Sequence, residues 1–119
     1  MKGLREAEVV TQVADEAACA KQLARFFSSV SVVHIPVQVT ALRNSNGQLR
    51  ETTVVEYCGP EHAIFLSKLP LEFDDRVKLD RDRRGRAAEA AVVAVQYQDG
   101  RKAVAVRFLQ GACDWVTHP

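Results

Sequence analysis

The sequence lacks the features of a disulfide-bonded, membrane-spanning or strongly charged protein. Its cysteines, Cys19, Cys58 and Cys113, are odd in number and far apart, which predicts free thiols in a reducing cytoplasm rather than a disulfide framework. No apolar run approaches the roughly 18 residues that cross a membrane, and the charged N-terminus does not have the pattern of a secretory signal. The formal net charge is only +1, so the overall composition gives no reason to expect a nucleic-acid partner.

The first part of the chain has the periodicity of a helix. The chain has 119 residues, of which 47% are hydrophobic, and this suits one soluble domain. Within the N-terminal segment, residues 1–31, apolar side chains recur at helical spacing over residues 13–27. A helix with one apolar face must bury that face, so we expect it to lie against the rest of the domain or against a second copy of the chain. The apolar positions are Val13, Ala17, Ala20, Leu23, Ala24 and Phe27.

From residue 32 the hydrophobic period changes to two, which predicts a half-buried β-strand over residues 32–41. Pro36 interrupts the polar face of this strand, and because proline has no N–H to donate, its position must be an edge or a bulge. The Asn-Ser-Asn-Gly stretch at residues 44–47 predicts a hairpin turn into the next strand. The inward positions are Val33, Ile35, Val37, Val39 and Ala41.

Five further strands are predicted between Gly-containing turns such as Gly59-Pro60 and Asp99-Gly100. In the third strand, Ile64 and Leu66 should lie on one face and Phe65 on the other. The alanines of the fifth strand leave a helix open as an alternative. Six short antiparallel strands predict a closed or nearly closed barrel over residues 32–110, followed by a tail at 111–119. The five strands cover residues 52–57, 62–68, 76–79, 87–97 and 102–109, with Val77, Leu79, Val104, Val106 and Phe108 facing inward.

Two stretches carry a resemblance to a known family. The strand order, the turn positions, and the sequences LPLEFDDRV at residues 69–77 and VAVRFL at residues 104–109 resemble a PilZ domain. Asp74 and Ala105 stand where glycines are common in that family. The resemblance implies a mainly β, six-stranded antiparallel PilZ-like barrel with an N-terminal helix. It also implies a bacterial cytoplasmic protein with a role in signalling, motility or envelope-associated control, since the family is known for binding cyclic di-GMP.

The family's two ligand-binding motifs depart from their usual chemistry in this chain. Relatives that bind cyclic di-GMP carry Arg-x-x-x-Arg before the first strand, where Phe26 and Val30 stand here. The second motif, Asp/Asn-x-Ser-x-x-Gly, falls on Tyr57, Gly59 and His62. Each hydrogen bond from an arginine to a charged group contributes roughly 1.5–3 kcal/mol, so losing two arginines removes on the order of a thousandfold in affinity. We therefore expect no binding of cyclic di-GMP by the family's usual mode.

A second nucleotide-binding arrangement remains open as an alternative. Arg25 lies one residue from the first arginine position, and the loop before the fifth strand contains Arg83, Arg84 and Arg86. Guanidinium groups pair with phosphate and stack on bases, so these four residues are candidates for an altered nucleotide site. The aspartates interleaved with the loop arginines favour instead a solvated loop whose charges pair with one another.

The sequence does not show the residue patterns that are typical of a metal site or of a catalytic site. Cys58 and His62 flank a Gly-Pro turn, but no acid accompanies them in a pattern typical of nucleophilic catalysis, so we expect neither an enzyme nor a cofactor. No two of the histidines and cysteines have the spacing typical of a zinc site. The residues considered as ligands are His34, Cys58, His62, Cys113 and His118.

Aromatic residues near the ends of the domain suggest an interaction surface. Phe26, Phe27 and Trp115 either pack onto the barrel or form an interface, since Phe and Trp are enriched in interface cores. The first functional hypothesis is therefore a divergent PilZ-like regulatory or protein-interaction module that binds a protein partner or forms a homodimer. The alternative is a receptor for cyclic di-GMP or another nucleotide that uses Arg25 and the loop arginines.

Overall fold

The chain folds into a closed antiparallel β-barrel, seen in a computed structural model that describes residues 19–42, 49–81 and 87–110. Helical residues 19–24 precede the first strand. Going around the barrel, the strands follow the order β1-β2-β3-β6-β5-β4, and every pair of neighbours is antiparallel. Among the described residues, no helix has the length and hydropathy that a membrane crossing requires. The strands are β1 (Ser31–Ala41), β2 (Arg50–Cys58), β3 (His62–Leu66), β4 (Arg76–Asp80), β5 (Ala87–Gln98) and β6 (Arg101–Phe108).

Side chains from alternate residues of each strand fill the interior of the barrel, as the hydrophobic period of two predicted. Side chains that point inward pack into one apolar cluster, and their outward neighbours on β1 and β4 are mostly exposed. This pattern is what a period of two requires when one face of the strand is buried. The prediction of a mainly β, six-stranded closed barrel is therefore confirmed. The predicted inward residues found in this cluster are Val33, Ile35, Val37, Val39, Ala41, Val77, Leu79, Val104, Val106 and Phe108.

A second, smaller apolar cluster lies on the outside of the barrel and is covered by the helix. Cys19, Ala20 and Leu23 of the helix pack on Ile64 of β3 and on small residues of β6. Leu66 packs against the same cluster, whereas Phe65 points into the barrel, so the predicted two faces of β3 are confirmed. Of the two predicted ways to bury the helix, the structure shows the contact with the barrel. The β6 residues in this contact are Ala103 and Ala105.

Several predicted boundaries, such as the start of β2 at Arg50 rather than at residue 52, and one alternative need correction. The helical residues end at 24 rather than 27, because residues 25–27 form tighter turns in which each N–H donates to the carbonyl three residues earlier. β3 ends at Leu66 rather than at residue 68. The helix alternative for the alanine-rich segment is wrong, because β5 pairs with both β4 and β6, and this pairing outweighs the helix propensity of alanine. The predicted turn at 44–47, the start of the N-terminal helix and the tail lie outside the described residues.

Pro36 occupies a stretch of β1 that has β2 as its only described strand neighbour. The pairing of β1 with β4 covers only Gln38 to Ala41, so it ends before Pro36 is reached. The Ala41 N–H donates to the Leu49 carbonyl at 2.9 Å, and strand alternation from this bond turns the nitrogen of Pro36 away from β2. A register shift also lies between Val32 and Ile35. The missing N–H of Pro36 therefore removes no bond from the β1–β2 ladder, and of the two expected settings, an edge or a bulge, the structure shows the edge, since Pro36 pairs with Val54 in regular register.

Two turns use backbone conformations with positive φ. Asp99 and Gly100, with φ of 53° and 78°, form the predicted hairpin turn between β5 and β6. Asp74 has φ 73° in the loop before β4, where its N–H donates to the Val92 carbonyl at 2.8 Å. This is the position at which the resembling family commonly has glycine. Aspartate is one of the few other residue types that enter the left-handed region at modest cost, so the backbone conformation is kept although the residue type differs.

The positive φ of Asp74 leads to a testable stability difference. Asp74→Gly should be more stable than Asp74→Ala by about 1 kcal/mol, because alanine has a steric cost in the left-handed region that glycine lacks. Glu72, in the same loop and without a positive φ, is the matched control, and there Ala should be more stable than Gly by about 0.5 kcal/mol. Urea unfolding measures the two differences. The same order of Gly and Ala at both positions would contradict the conformation described for Asp74.

Candidate functional site

The segment that follows the helix, residues 25–30, packs closely on the turn between β2 and β3. A Cβ atom added to Gly59 would lie 2.5 Å from the Ser29 carbonyl oxygen and 3.3 Å from the Cα atom of Val30. These are backbone atoms and cannot move aside as a flexible side chain would, so only glycine fits here. The Gly59 N–H donates to the His62 carbonyl at 2.8 Å and closes the turn that Gly59-Pro60 predicted.

Side chains reinforce this backbone contact. The rings of Phe27 and His62 have their centroids 4.7 Å apart, and their planes are tilted by 46°. Phe27, Val30 and Tyr57 all pack against the outer apolar cluster beneath the helix. The structure thus brings together Val30, Tyr57, Gly59 and His62, four of the five positions that correspond to the family's two ligand motifs.

The fifth position, Phe26, remains on the surface. Its side chain is 78% exposed, although Leu23 in the helical turn before it is buried. Val32, at the start of β1, is also 77% exposed. The sequence analysis named Phe26 as a candidate residue but did not name Val32. Val32 lies on the outward face of β1 together with His34, and an apolar residue on an outward face was the signal that could have identified it. The region therefore offers two exposed apolar side chains, of which Phe26 stands at a position where the resemblance places an arginine.

Several of the other candidate site residues lie outside the part of the chain that the structure describes. Arg25 is exposed, whereas Arg83, Arg84, Arg86 and Trp115 lie outside the described residues. Cys19 and Cys58 are buried free thiols, and burial raises the pKa of the Cys19 thiol above its usual value. Cys58 donates to the carbonyl of Gly59 within its own turn. Within residues 19–42, 49–81 and 87–110, no three His, Cys, Asp or Glu side chains lie together as metal ligands would.

His62 is a titratable residue of this region whose pKa departs from its usual value. Burial lowers the pKa of His62 below its usual value, and Arg107 lowers it further, whereas the carboxylate of Glu61 acts in the opposite direction. A neutral imidazole is therefore the form that packs against Phe27 near neutral pH. This arrangement favours an apolar contact between residues 25–30 and the barrel over a cationic cradle for an anion.

Comparisons with known proteins agree with the barrel at the level of the fold. No family model matches the sequence, and no curated protein matches it. Among solved structures, that of the Bacillus subtilis inhibitor of motility (MotI/DgrA) is similar, with a TM-score of 0.51 and 12% sequence identity. The match covers 71% of this chain and 43% of that chain, so the present chain spans less than half of the length of that protein. At 12% identity, this likeness shows a similar barrel fold and no more.

The lowered pKa of His62 leads to a pH-dependent stability. The unfolded chain should bind a proton near pH 6.5, the ordinary value, whereas the folded chain binds it only at lower pH. Between these two values the unfolded state holds more protons, so the free energy of unfolding should fall as the pH is lowered below about 6.5. His62→Gln should flatten this part of the profile, measured by urea unfolding between pH 7.5 and pH 5.

The matched control for this measurement is His34→Gln, because His34 is exposed on β1. It should leave the slope of the wild-type profile unchanged. A wild-type slope that persists in His62→Gln would contradict the assignment of the pH dependence to the half-buried imidazole of His62.

Proposed function

We propose that this chain is a PilZ-like regulatory module in the bacterial cytoplasm that acts by binding a protein partner, and that it does not bind cyclic di-GMP by the family's usual mode. In this proposal residues 1–31 form the interaction segment and residues 32–110 the barrel that supports it. The observation that carries the proposal is the apolar, tightly packed contact between residues 25–30 and the β2–β3 turn.

The contact lacks the side-chain hydrogen-bond donors with which arginines bind a nucleotide. An arginine at the first motif pairs bidentately with phosphate and stacks on a base, and neither Phe26 nor Val30 can donate a hydrogen bond from its side chain. Val30 is half-buried in the outer cluster, and Gly59 is already in contact with the backbone of Ser29. At two of these motif positions, Val30 and Gly59 therefore make packing contacts and offer no side-chain group that could hold the ligand.

The same surface presents an exposed aromatic side chain, that of Phe26. Exposed aromatic side chains on a rigid support are typical anchors of protein interfaces, because they bury a large area at low entropic cost. Phe26 meets this description, since the turn that bears it is held against the barrel by Phe27 and Val30. The similarity of fold to a protein named as an inhibitor of motility also supports a regulatory, non-catalytic role.

Isothermal titration with cyclic di-GMP tests the first half of the proposal. The wild-type chain should show no saturable heat at micromolar concentrations, and neither should Arg25→Gln. The double variant Phe26→Arg/Val30→Arg tests whether the missing guanidinium groups explain the lack of cyclic di-GMP binding. This variant should gain measurable binding. Wild-type binding at micromolar or tighter affinity would overturn the proposal, and its loss in Arg25→Gln would establish the alternative of an altered nucleotide site.

Co-purification from cells tests the second half. A protein that associates with the wild-type chain should be lost from Phe26→Ser, because the anchor of the interface is removed. Phe73→Ser is the matched control, since Phe73 is 73% exposed on the loop before β4. Light scattering during size-exclusion chromatography identifies a second copy of the chain as the partner if a dimer is lost in Phe26→Ser alone. Equal retention in both variants would contradict an interface at Phe26.

A further inference from the structure

The apolar surface formed by Phe26 and Val32, here called the Phe26 surface, has no cover among the described residues. The two side chains are 78% and 77% exposed. The turn that bears Phe26 is nevertheless fixed, because Phe27 packs on the ring of His62 and Val30 packs on the outer apolar cluster. An exposed aromatic side chain on a fixed support marks a contact surface, since burying it removes apolar area from water at little cost in conformational entropy.

The C-terminal tail, residues 111–119, leaves the barrel at the same end. His62 of β3 pairs with Arg107, which lies one residue before the end of β6. The ring of His62 contacts Phe27, and Phe26 precedes Phe27 directly. The last strand therefore ends beside the turn that carries the Phe26 surface.

The Phe26 surface lies within reach of Trp115. Trp115 is the fifth residue after Gln110, where the described part of the chain stops. An extended chain spans about 3.3–3.6 Å per residue, so the tail can cover roughly 17 Å before Trp115. Neighbouring strands are about 4.8 Å apart, and the rings of His62 and Phe27 are 4.7 Å apart. The path from β6 across β3 to this turn is shorter than the reach of the tail.

Of the chain segments outside the described residues, the tail has the position and the chemistry that fit. Residues 82–86 also adjoin this end of the barrel, but they contain only charged side chains and a glycine. Residues 43–48 are polar and join β1 to β2 at the other end. Residues 1–18 lead into the helix at Cys19, which donates to the Gln96 carbonyl near the start of β6, again at the other end.

The charges beside the two aromatic residues are complementary. Arg25 is exposed and directly precedes Phe26, whereas Asp114 directly precedes Trp115. Asp114 is the only acidic residue of the tail, which contains no lysine or arginine. Packing of the two rings and pairing of the two charges can therefore form together, each beside the other.

We propose that the C-terminal tail is an intramolecular cover for the Phe26 surface, in which Trp115 packs on Phe26 and Asp114 pairs with Arg25. A protein partner that binds Phe26 must displace this cover, so the tail lowers the affinity for the partner by competing for the same surface. The competition rests on the proposed function, whereas the contact between the tail and the barrel does not.

Fluorescence of Trp115, the only tryptophan in the chain, tests the contact directly. In the full-length protein it should emit at a shorter wavelength than free tryptophan and should be protected from quenching by acrylamide. Phe26→Ser should shift the emission to longer wavelength and remove the protection. The matched control is Phe73→Ser, which removes a 73% exposed ring at the other end of the barrel and should change neither reading. Added salt should weaken the protection in the wild type but not in Arg25→Gln.

Three outcomes would overturn the contact. The first is a wild-type emission and quenching rate like those of free tryptophan. The second is a spectrum that Phe26→Ser leaves unchanged. The third is protection that appears only as the protein concentration is raised, which would assign the cover to a second copy of the chain.

Co-purification with Trp115→Ser tests the competition. This variant should retain more of the associated protein than the wild type does, and equal or lower retention would contradict the competition. A protected Trp115 that Phe26→Ser releases, without any partner, would leave the contact standing and overturn the proposed function. A partner lost from Phe26→Ser, together with an unprotected Trp115, would do the reverse, so the two failures are distinguishable.

Discussion

The whole architecture depends on a short seam between β1 and β4. Only four residues of β1, Gln38 to Ala41, pair with β4, yet this pairing converts a curled sheet into a closed barrel. Inward residues of both strands, such as Val39 and Leu79, are fully buried beside the seam. Closure satisfies the backbone groups of what would otherwise be two sheet edges. It also leaves the outer surfaces of the other strands available for the helix, the N-terminal segment and a groove lined by residues such as Tyr97 and Lys68.

The two ends of the barrel differ because the strands around it have different lengths. At one end, Gly59 allows the backbone of Ser29 to approach within contact distance, and the surface there is apolar and closed. At the other end, β2 extends beyond β3, and polar side chains such as Ser67 hold an open groove in place. A barrel of this length can therefore carry an apolar contact surface and a polar cavity without the two sharing residues.

The sequence predicted the barrel well because each strand buries one face. Alternation alone placed Val77 and Leu79 inside, and it separated Ile64 from Phe65 on β3. The identity of β5 stayed ambiguous, since alanine fits both a helix and a strand and only the pairing with β4 and β6 decides between them. The resemblance to a family placed Val30 and Tyr57 in one region, and both pack against the same cluster, while their role as a site stays a prediction.

What the sequence did not predict arises from long-range geometry. The need for Gly59 comes from a backbone 30 residues earlier in the chain, at Ser29, and no local pattern reveals that approach. The groove follows from the register at which β2 meets β3, which includes a shift between Val55 and Tyr57. Register and strand overhang are set by the packing of the whole barrel, so side chains such as Tyr97 and Lys68 acquire a common cavity only in the folded state.

Pro36 has a consequence for the behaviour of this barrel at high concentration. The start of β1 continues past the seam, and among the described residues no strand pairs with it on the side away from β2. An uncovered strand edge of this kind is a template for edge-to-edge association between molecules. Because the nitrogen of Pro36 points to that side and carries no hydrogen, an incoming strand would lose one of its bonds close to the seam with β4. Proline thus protects this uncovered edge of the described barrel against aggregation.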